Sequence, residues 1–432
     1  MSLTALQHAQ HLLDFIEDSP TPWHTVARME HRLLDSGFTR LNEVDRWKLL
    51  PGGRYFVTRG GASLIAFVIG REPMLARGLR LIGAHTDSPG LRLKPRPAED
   101  YAGLVRLGVE VYGGPILATY ADRDLSLAGR VTVRSIDGFT THLVRFNEPL
   151  VRLPNLAIHM NRDVNEAGLK FNKQNELPLL LGLSEPGIPA EGRFRQLIAE
   201  QLEIDAPELL TWELAAYDTQ KGRFWGDERN FIASRQLDNL ASCHAALTAL
   251  CAADNPASTL IAAFFDHEEV GSESSHGAAS SFVSDLIARL AASQSFDTED
   301  ARRLLAKSFF ISADMAHAWQ PNFPGAYEPN HRLTVNGGPA IKINANQRYC
   351  TQADTAARFI GYCESAGVPW QSYNHRADLA CGSTIGPILA ARLGIPGVDV
   401  GTPLWAMHSI RESAGVDDHA YLIAALSSAL AD

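Results

Sequence analysis

Residues 260–272 read LIAAFFDHEEVGS: six apolar residues run without a break into Asp266, His267, Glu268 and Glu269. An unbroken apolar run of this length fits a strand buried on both faces, because alternation disappears when neither side meets water. Two other stretches repeat the plan. LRLIGA (79–84) leads into His85-Thr86-Asp87, and SFFISA (308–313) leads into Asp314-Met315-Ala316-His317. A shorter strand candidate at 398–400 is followed by a loop holding His408. In open α/β sheets ligands bind beyond the carboxyl ends of the strands, and here four such ends deliver imidazoles and carboxylates.

Helical patterns fill the intervals. Residues 239–253, 280–292, 351–366 and 386–393 have helical spacing, and strands alternating with helices indicate an α/β sheet covered on both faces. Toward the N-terminus, apolar residues at helical spacing over 3–15 and a second helix from Thr21-Pro22 precede a hairpin around Arg59-Gly60-Gly61. The texture changes after Gly90. Val105, Leu107, Val109 and Val111 alternate with Arg106, Gly108, Glu110 and Tyr112, as in a half-exposed antiparallel strand, and 125–134 repeats the alternation. A helix is expected over 194–202, and Arg92-Leu93-Lys94-Pro95-Arg96-Pro97 reads as an extended linker. The expected organisation is therefore a mixed sheet sandwiched by helices, formed by 1–91 plus 234–432, interrupted by a β-rich unit over 92–233.

Composition narrows the function classes. The 432-residue chain is 45% hydrophobic and 20% charged, a globular balance. With 39 basic against 49 acidic residues the formal charge is −10, and the absence of any basic cluster argues against nucleic acid as a partner. No apolar run is long enough to span a membrane. The opening MSLTALQHAQHLLDFIEDSP lacks the cationic start of a signal peptide and reads as an amphipathic helix. Five scattered cysteines without a C-x-x-C suit a reducing cytoplasm and argue against both a disulfide framework and a thiolate zinc site.

The side chains beyond the strands suit Zn²⁺, Co²⁺ or Mn²⁺, since imidazole combined with carboxylate favours these ions over Mg²⁺ or Ca²⁺. Each residue also has a plain structural reading. His85 alone could be a core histidine, and Asp238, just before a helix, could be a capping residue. Glu268-Glu269 is harder to dismiss, because two adjacent carboxylates directly after six apolar residues repel each other at a buried edge. His267 reads as a surface or packing histidine. No G-x-S-x-G, P-loop or G-x-G-x-x-G after a strand is present.

The strings AHTDSP (84–89), SRQLDN (234–239), FFDHEEVGS (264–272), SADMAHA (312–318), NQRY (346–349) and AMHSIRE (406–412) resemble the aspartyl aminopeptidase family of dinuclear zinc metallopeptidases. The resemblance spans essentially the whole chain. It implies a catalytic zinc-exopeptidase-like domain interrupted by a β-rich dimerisation domain, with assembly into dimers and dodecamers. It further implies two Zn²⁺ per subunit, with Co²⁺ or Mn²⁺ as alternatives at one site. Asp238 would bridge them, His85 and Asp314 would complete one ion, and Glu269 and His408 the other. Glu268 would be the general acid/base, and Asp87 would hydrogen-bond a ligand imidazole. His159 matches a histidine that reaches a neighbouring subunit's active site, with a ligand role as the less favoured reading. Lys342 and Tyr349 match positions near the substrate.

The expected reaction is removal of an N-terminal Asp or Glu from peptides. An acidic substrate side chain needs a cation, for which Lys342 and Arg348 are the visible candidates. Rival readings are a broad-specificity aminopeptidase, a deacylase or carboxypeptidase on the same scaffold, and a non-enzymatic metal-containing assembly. Glu268, a base with no ligand duty in this scheme, speaks against the last.

Overall fold

The computed structural model describes residues 3–136 and 138–432; Met1 and Ser2, at the start of the N-terminal stretch read above, lie outside the described residues. The fold is mixed α/β, and the chain divides into two compact units. The first comprises 1–87, 222–407 and 412–432; the second comprises 88–221 together with 408–411.

Among the described residues, the first unit is built on a nine-stranded sheet. Its centre is Ser63–Val68, Thr259–Phe265, Leu79–His85, Phe309–Ala313 and Gly397–Gly401, in that spatial order. The last four of these are mutually parallel, and Ser63–Val68 is antiparallel to its neighbour. The apolar runs are explained by what each face meets. Leu260, Ala262 and Phe264 enter the core beneath the helices Leu237–Ala252 and Val416–Ala431. Ile261, Ala263 and Phe265 enter the opposite core, beneath Phe282–Ser293 and Ile385–Leu393. A strand with helices on both sides has no solvent face, so its sequence cannot alternate.

Register sets the functional edge. Phe265 pairs with His85, and Ser312 with Gly83, so the carboxyl ends of three parallel strands finish level with one another. The first unit also carries a five-stranded sheet that includes Arg223–Trp225, Phe231–Ser234, Glu412–Gly415 and Ala316–His317. Pairing of Phe231–Ser234 with Glu412–Gly415 draws the segment from Gly222 into this unit, whereas the sequence reading began it at 234.

The second unit contains a six-stranded antiparallel sheet in the order Gly138–Arg145, Leu125–Ser135, Leu209–Asp218, Gly90–Tyr101, Leu104–Tyr112, Leu179–Leu183. The basic Pro-containing segment read as a linker is instead part of the strand Gly90–Tyr101. Its ladder with Leu104–Tyr112 is irregular between Leu93 and Ala98, the interval that holds Pro95 and Pro97. Prolines that cannot donate are tolerated where an irregularity interrupts the ladder, which is why a strand looked like a linker. Helix Ala190–Leu202 packs on this sheet through Phe194, whose ring meets Trp212 edge-on at 5.6 Å.

Phe194 is wholly buried. Phe194→Ala is expected to destabilise the second unit by about 3–5 kcal/mol, whereas Phe194→Leu, which keeps most of the volume, should cost clearly less. Denaturant midpoints followed by tryptophan fluorescence would check this; equal midpoints for Phe194→Ala and the parent chain would refute it.

Candidate metal centre

His85 ends its strand fully buried, and three carboxylates surround it. Its Nε2 lies 3.3 Å from Asp238 Oδ1 and 3.5 Å from Asp314 Oδ1. Its Nδ1 donates to the Asp87 carbonyl at 3.0 Å, with Asp87 Oδ1 at 3.5 Å. That bond leaves the Nε2 side facing the two aspartates, the arrangement found when an imidazole is oriented for a metal. The Cys243 thiol donates to the His85 carbonyl at 3.0 Å; burial drives its pKa upward, so it serves as a neutral donor.

Asp87 does more than orient an imidazole. Its carboxylate accepts the backbone N–H of Glu268 at 3.2 Å on one oxygen and that of Glu269 at 3.1 Å on the other. The turn Glu268–Val270 is thereby fastened to the end of the neighbouring strand, and both glutamates come within reach of His85. Ligand atoms of His85, Glu268 and Glu269 lie within 4.8 Å of one another, as do those of His85, Asp238 and Asp314. Asp238 stands at the opening of Leu237–Ala252 with non-helical backbone angles, and its N–H donates to Glu412 Oε2 at 3.0 Å. It is therefore not a simple helix cap.

The electrostatics fit a cation. Burial pushes the Glu268 carboxyl up to about 8; His85 opposes the shift, and the Asp314, Asp87 and Asp238 carboxylates reinforce it. For His85 burial acts downward, but its bonds to Asp238, Asp314 and Asp87 hold the pKa well above that of a free imidazole. The raised His85 and the carboxylates' share of the Glu268 shift report a surplus of negative charge at one place. Zinc bonds of about 2.0–2.2 Å put neighbouring ligand atoms of a tetrahedral ion about 3.3–3.6 Å apart, which the His85 contacts to Asp238 and Asp314 match.

Of the two cations considered for substrate recognition, Lys342 is buried with its Nζ 3.6 Å from Asp314 Oδ2 and 5.4 Å from the Tyr349 ring centre. Arg348 has an exposed side chain. Tyr349 is buried, takes a hydrogen bond from Cys381 Sγ at 3.4 Å, and has its phenol pKa raised by burial. His317 was not singled out from the sequence, although it lies within SADMAHA (312–318). Burial lowers its pKa to about 4, helped by Lys342 and His375, so it is a neutral imidazole. It lines a cavity of about 210 Å³ with Tyr327, Glu328, His331, Tyr373 and His375. Two other residues belong to the second unit. His159 is exposed on a turn, and His408 has its Nδ1 at 3.0 Å from the Gly114 carbonyl.

Residues 15–429 match the protein family described as aminopeptidase I zinc metalloprotease (M18). A probable M18 family aminopeptidase 2 of Azotobacter vinelandii is 47% identical over 423 residues, covering 97% of each chain. A chain in the cryo-EM structure of the Ape4 and Nbr1 complex superposes with a TM-score of 0.95 at 38% identity, over 98% of this chain and 85% of that one. The S. cerevisiae mApe1 dodecamer gives a TM-score of 0.85 at 26% identity, over 97% and 95%.

Asp87→Ala would remove both acceptors of the Glu268 and Glu269 N–H groups. Zinc affinity should fall by about 10–100-fold, the usual effect of losing a partner that orients a ligand, with the fold intact. Competition against a chromogenic chelator reads this directly, and an unchanged affinity would reduce Asp87 to a packing residue.

Proposed function

The chain belongs to the aminopeptidase I zinc metalloprotease (M18) family, and from that membership we propose that it removes N-terminal Asp or Glu from peptides at a two-zinc centre. It is a zinc-dependent aminopeptidase, a hydrolase acting on peptide bonds. In the proposed ligand set Asp238 would be shared, His85 and Asp314 would hold one ion, and Glu269 and His408 the other. Co²⁺ or Mn²⁺ are alternatives at one position. The observation carrying this reading is the packing of Asp238 and Asp314 around His85 Nε2 while Asp87 holds Glu268 and Glu269 on the adjoining turn. Donation from His408 Nδ1 to the Gly114 carbonyl supports a ligand role for its Nε2.

Bound zinc supplies Lewis acidity and a water acidic enough to ionise near neutral pH. Glu268 would take the proton of the attacking water on its carboxylate, which the charge of a bound cation would keep ionised against burial and the neighbouring Asp314, Asp87 and Asp238, and would return it to the leaving amine. Its N–H, committed to Asp87, fixes the backbone from which that half-buried side chain projects. Asp314 orders Lys342, whose ammonium is the buried positive charge offered to an acidic substrate side chain. Tyr349 packs beside that ammonium and narrows its freedom.

The β-rich second unit, in this proposal, mediates dimerisation, and the dimers build a dodecamer as in the yeast mApe1 assembly. His159, exposed on its turn, would then donate to the substrate carbonyl in a neighbouring subunit. Among the described residues no helix is long and apolar enough to cross a membrane. The proposed setting is the cytoplasm, whose reducing conditions suit five free cysteines.

Two experiments divide the roles. Glu268→Gln should retain metal and assembly while kcat falls by about 10²–10⁴, the scale of a lost general base. Glu269→Gln should lose zinc, and exchanged phenotypes would overturn the assignment. The second uses Asp-, Glu-, Leu- and Lys-capped chromogenic amides. The parent enzyme should prefer the acidic pair, and Lys342→Ala should reduce kcat/KM for that pair by about 10-fold or more relative to Leu, as expected for a buried charge-assisted contact. No acidic preference in the parent enzyme would make it a broad-specificity aminopeptidase.

A further inference from the structure

The carboxylate turn begins with two residues that the proposed two-zinc centre does not use. Asp266 follows the strand Thr259–Phe265 and is 1% exposed. Its Oδ1 accepts the His267 N–H at 2.9 Å. Its Oδ2 is buried without a hydrogen-bond partner. Two imidazole nitrogens converge on that oxygen: His267 Nε2 and His276 Nε2, each at 3.4 Å.

From this geometry we infer that Asp266, His267 and His276 form an additional divalent-metal site, of the zinc class, distinct in all its ligands from the centre at Asp238. Three observations converge on it. First, the spacing is wrong for charge-assisted hydrogen bonds, which close to about 2.7–2.9 Å, but matches the ligand-to-ligand edge of a tetrahedral zinc ion, about 3.3–3.6 Å. The three ligand atoms lie within 4.8 Å of one another. Second, both histidines are engaged through Nδ1. His267 Nδ1 lies 2.8 Å from Ser274 Oγ and His276 Nδ1 lies 3.1 Å from Ser275 Oγ. Each hydroxyl can accept the Nδ1 proton, which presents the Nε2 lone pair toward Asp266, as in sites where an outer partner orients the ligand imidazole.

Third, the backbone that carries both imidazoles is tied down around them. Ser63 Oγ donates to the His276 carbonyl at 2.7 Å and receives the Asp266 N–H at 2.9 Å, tying the two ends of the segment to one hydroxyl. The His267 carbonyl accepts the Ser272 N–H at 2.7 Å. Gly60, at φ +64°, lies so close to the His276 ring that a Cβ there would fall 2.8 Å from Nδ1. Two imidazoles and one carboxylate suit zinc or cobalt, and exclude Mg²⁺ and Ca²⁺ as preferred ions. With Asp266 buried and both histidines partly exposed, the fourth position faces water. The ion would join the two ends of the segment from 266 to 276, as a structural fastener.

The test is a difference in metal content. Zinc-saturated parent enzyme and His276→Ala, passed through the same desalting column, are compared by elemental analysis and by peptidase activity. The variant should hold one zinc fewer per chain while remaining active, an outcome independent of how many ions the Asp238 centre carries. Ser275→Ala, an exposed change that leaves all three ligands in place, should weaken retention of that ion against a chelator by about 10–100-fold. It decides the matter if His276→Ala does not fold. Equal zinc content in parent and His276→Ala, or unchanged retention in Ser275→Ala, would overturn the site and leave a metal-free His–Asp–His cluster.

Discussion

The Asp87 carboxylate, wholly buried, accepts the N–H groups of Glu268 and Glu269 while its own carbonyl takes the Nδ1 proton of His85. One residue thus couples the ends of two parallel strands. Burying an acid is costly unless its oxygens are bonded, and here both are. The bonds are to backbone, so they fix where the turn runs and leave the glutamate side chains available for chemistry. Asp238 and Asp314 could approach a lone imidazole on any scaffold. What makes the arrangement a candidate centre is that the turn bearing two further carboxylates is fastened to the same point.

That fastening requires a level edge. Parallel pairing of Thr259–Phe265 and Phe309–Ala313 on either side of Leu79–His85 brings three strand ends to one height. Parallel strands need crossover connections, and the helices that make them bury both faces of the sheet. The sheet interior therefore favours apolar side chains, and the polar side chains of the candidate centre collect where the strands stop. Charge that does lie on its strands is bonded: Asp399, buried on Gly397–Gly401, accepts the Cys350 N–H at 2.7 Å, and a second case is Lys342 on Ala340–Ile343. Its buried ammonium is placed against Asp314 and Tyr349 and not against the apolar layers.

Much of this was legible in the sequence because it depends on local pattern. Unbroken apolar runs followed by His, Asp or Glu identify two-faced strands and their functional ends, and Asp266 to Glu269 after LIAAFF could be read directly. Other features depend on pairing between distant residues and leave no local trace. The strand Gly90–Tyr101 looked like a linker because Pro95 and Pro97 fall where its ladder is irregular. Gly222–Ala233 looked like part of the inserted unit because its partner, Glu412–Gly415, lies far along the chain. His317 was inconspicuous because its surroundings, Lys342, Tyr373 and His375, come from two other segments. Asp87 was legible as a partner of an imidazole but not as the acceptor for the glutamate turn, since a backbone N–H has no sequence signature.

His267 shows why such a turn needs support from both sides. Its φ of +67° places a residue with a full side chain in the left-handed region, which ordinary residues visit rarely and at some cost. That conformation reverses the chain between Asp266, which remains buried at the strand end, and Glu268, whose N–H must reach Asp87. Glycine would adopt it with less strain but would contribute no imidazole. A histidine at the pivot is accounted for if its ring also bears a load. With Nδ1 on Ser274 and Nε2 directed at Asp266, the ring opposes relaxation of the backbone toward the ordinary region. Asp87 then fixes Glu268 and Glu269 through their own N–H groups, while the Asp266 cluster holds the backbone on the other side of the pivot.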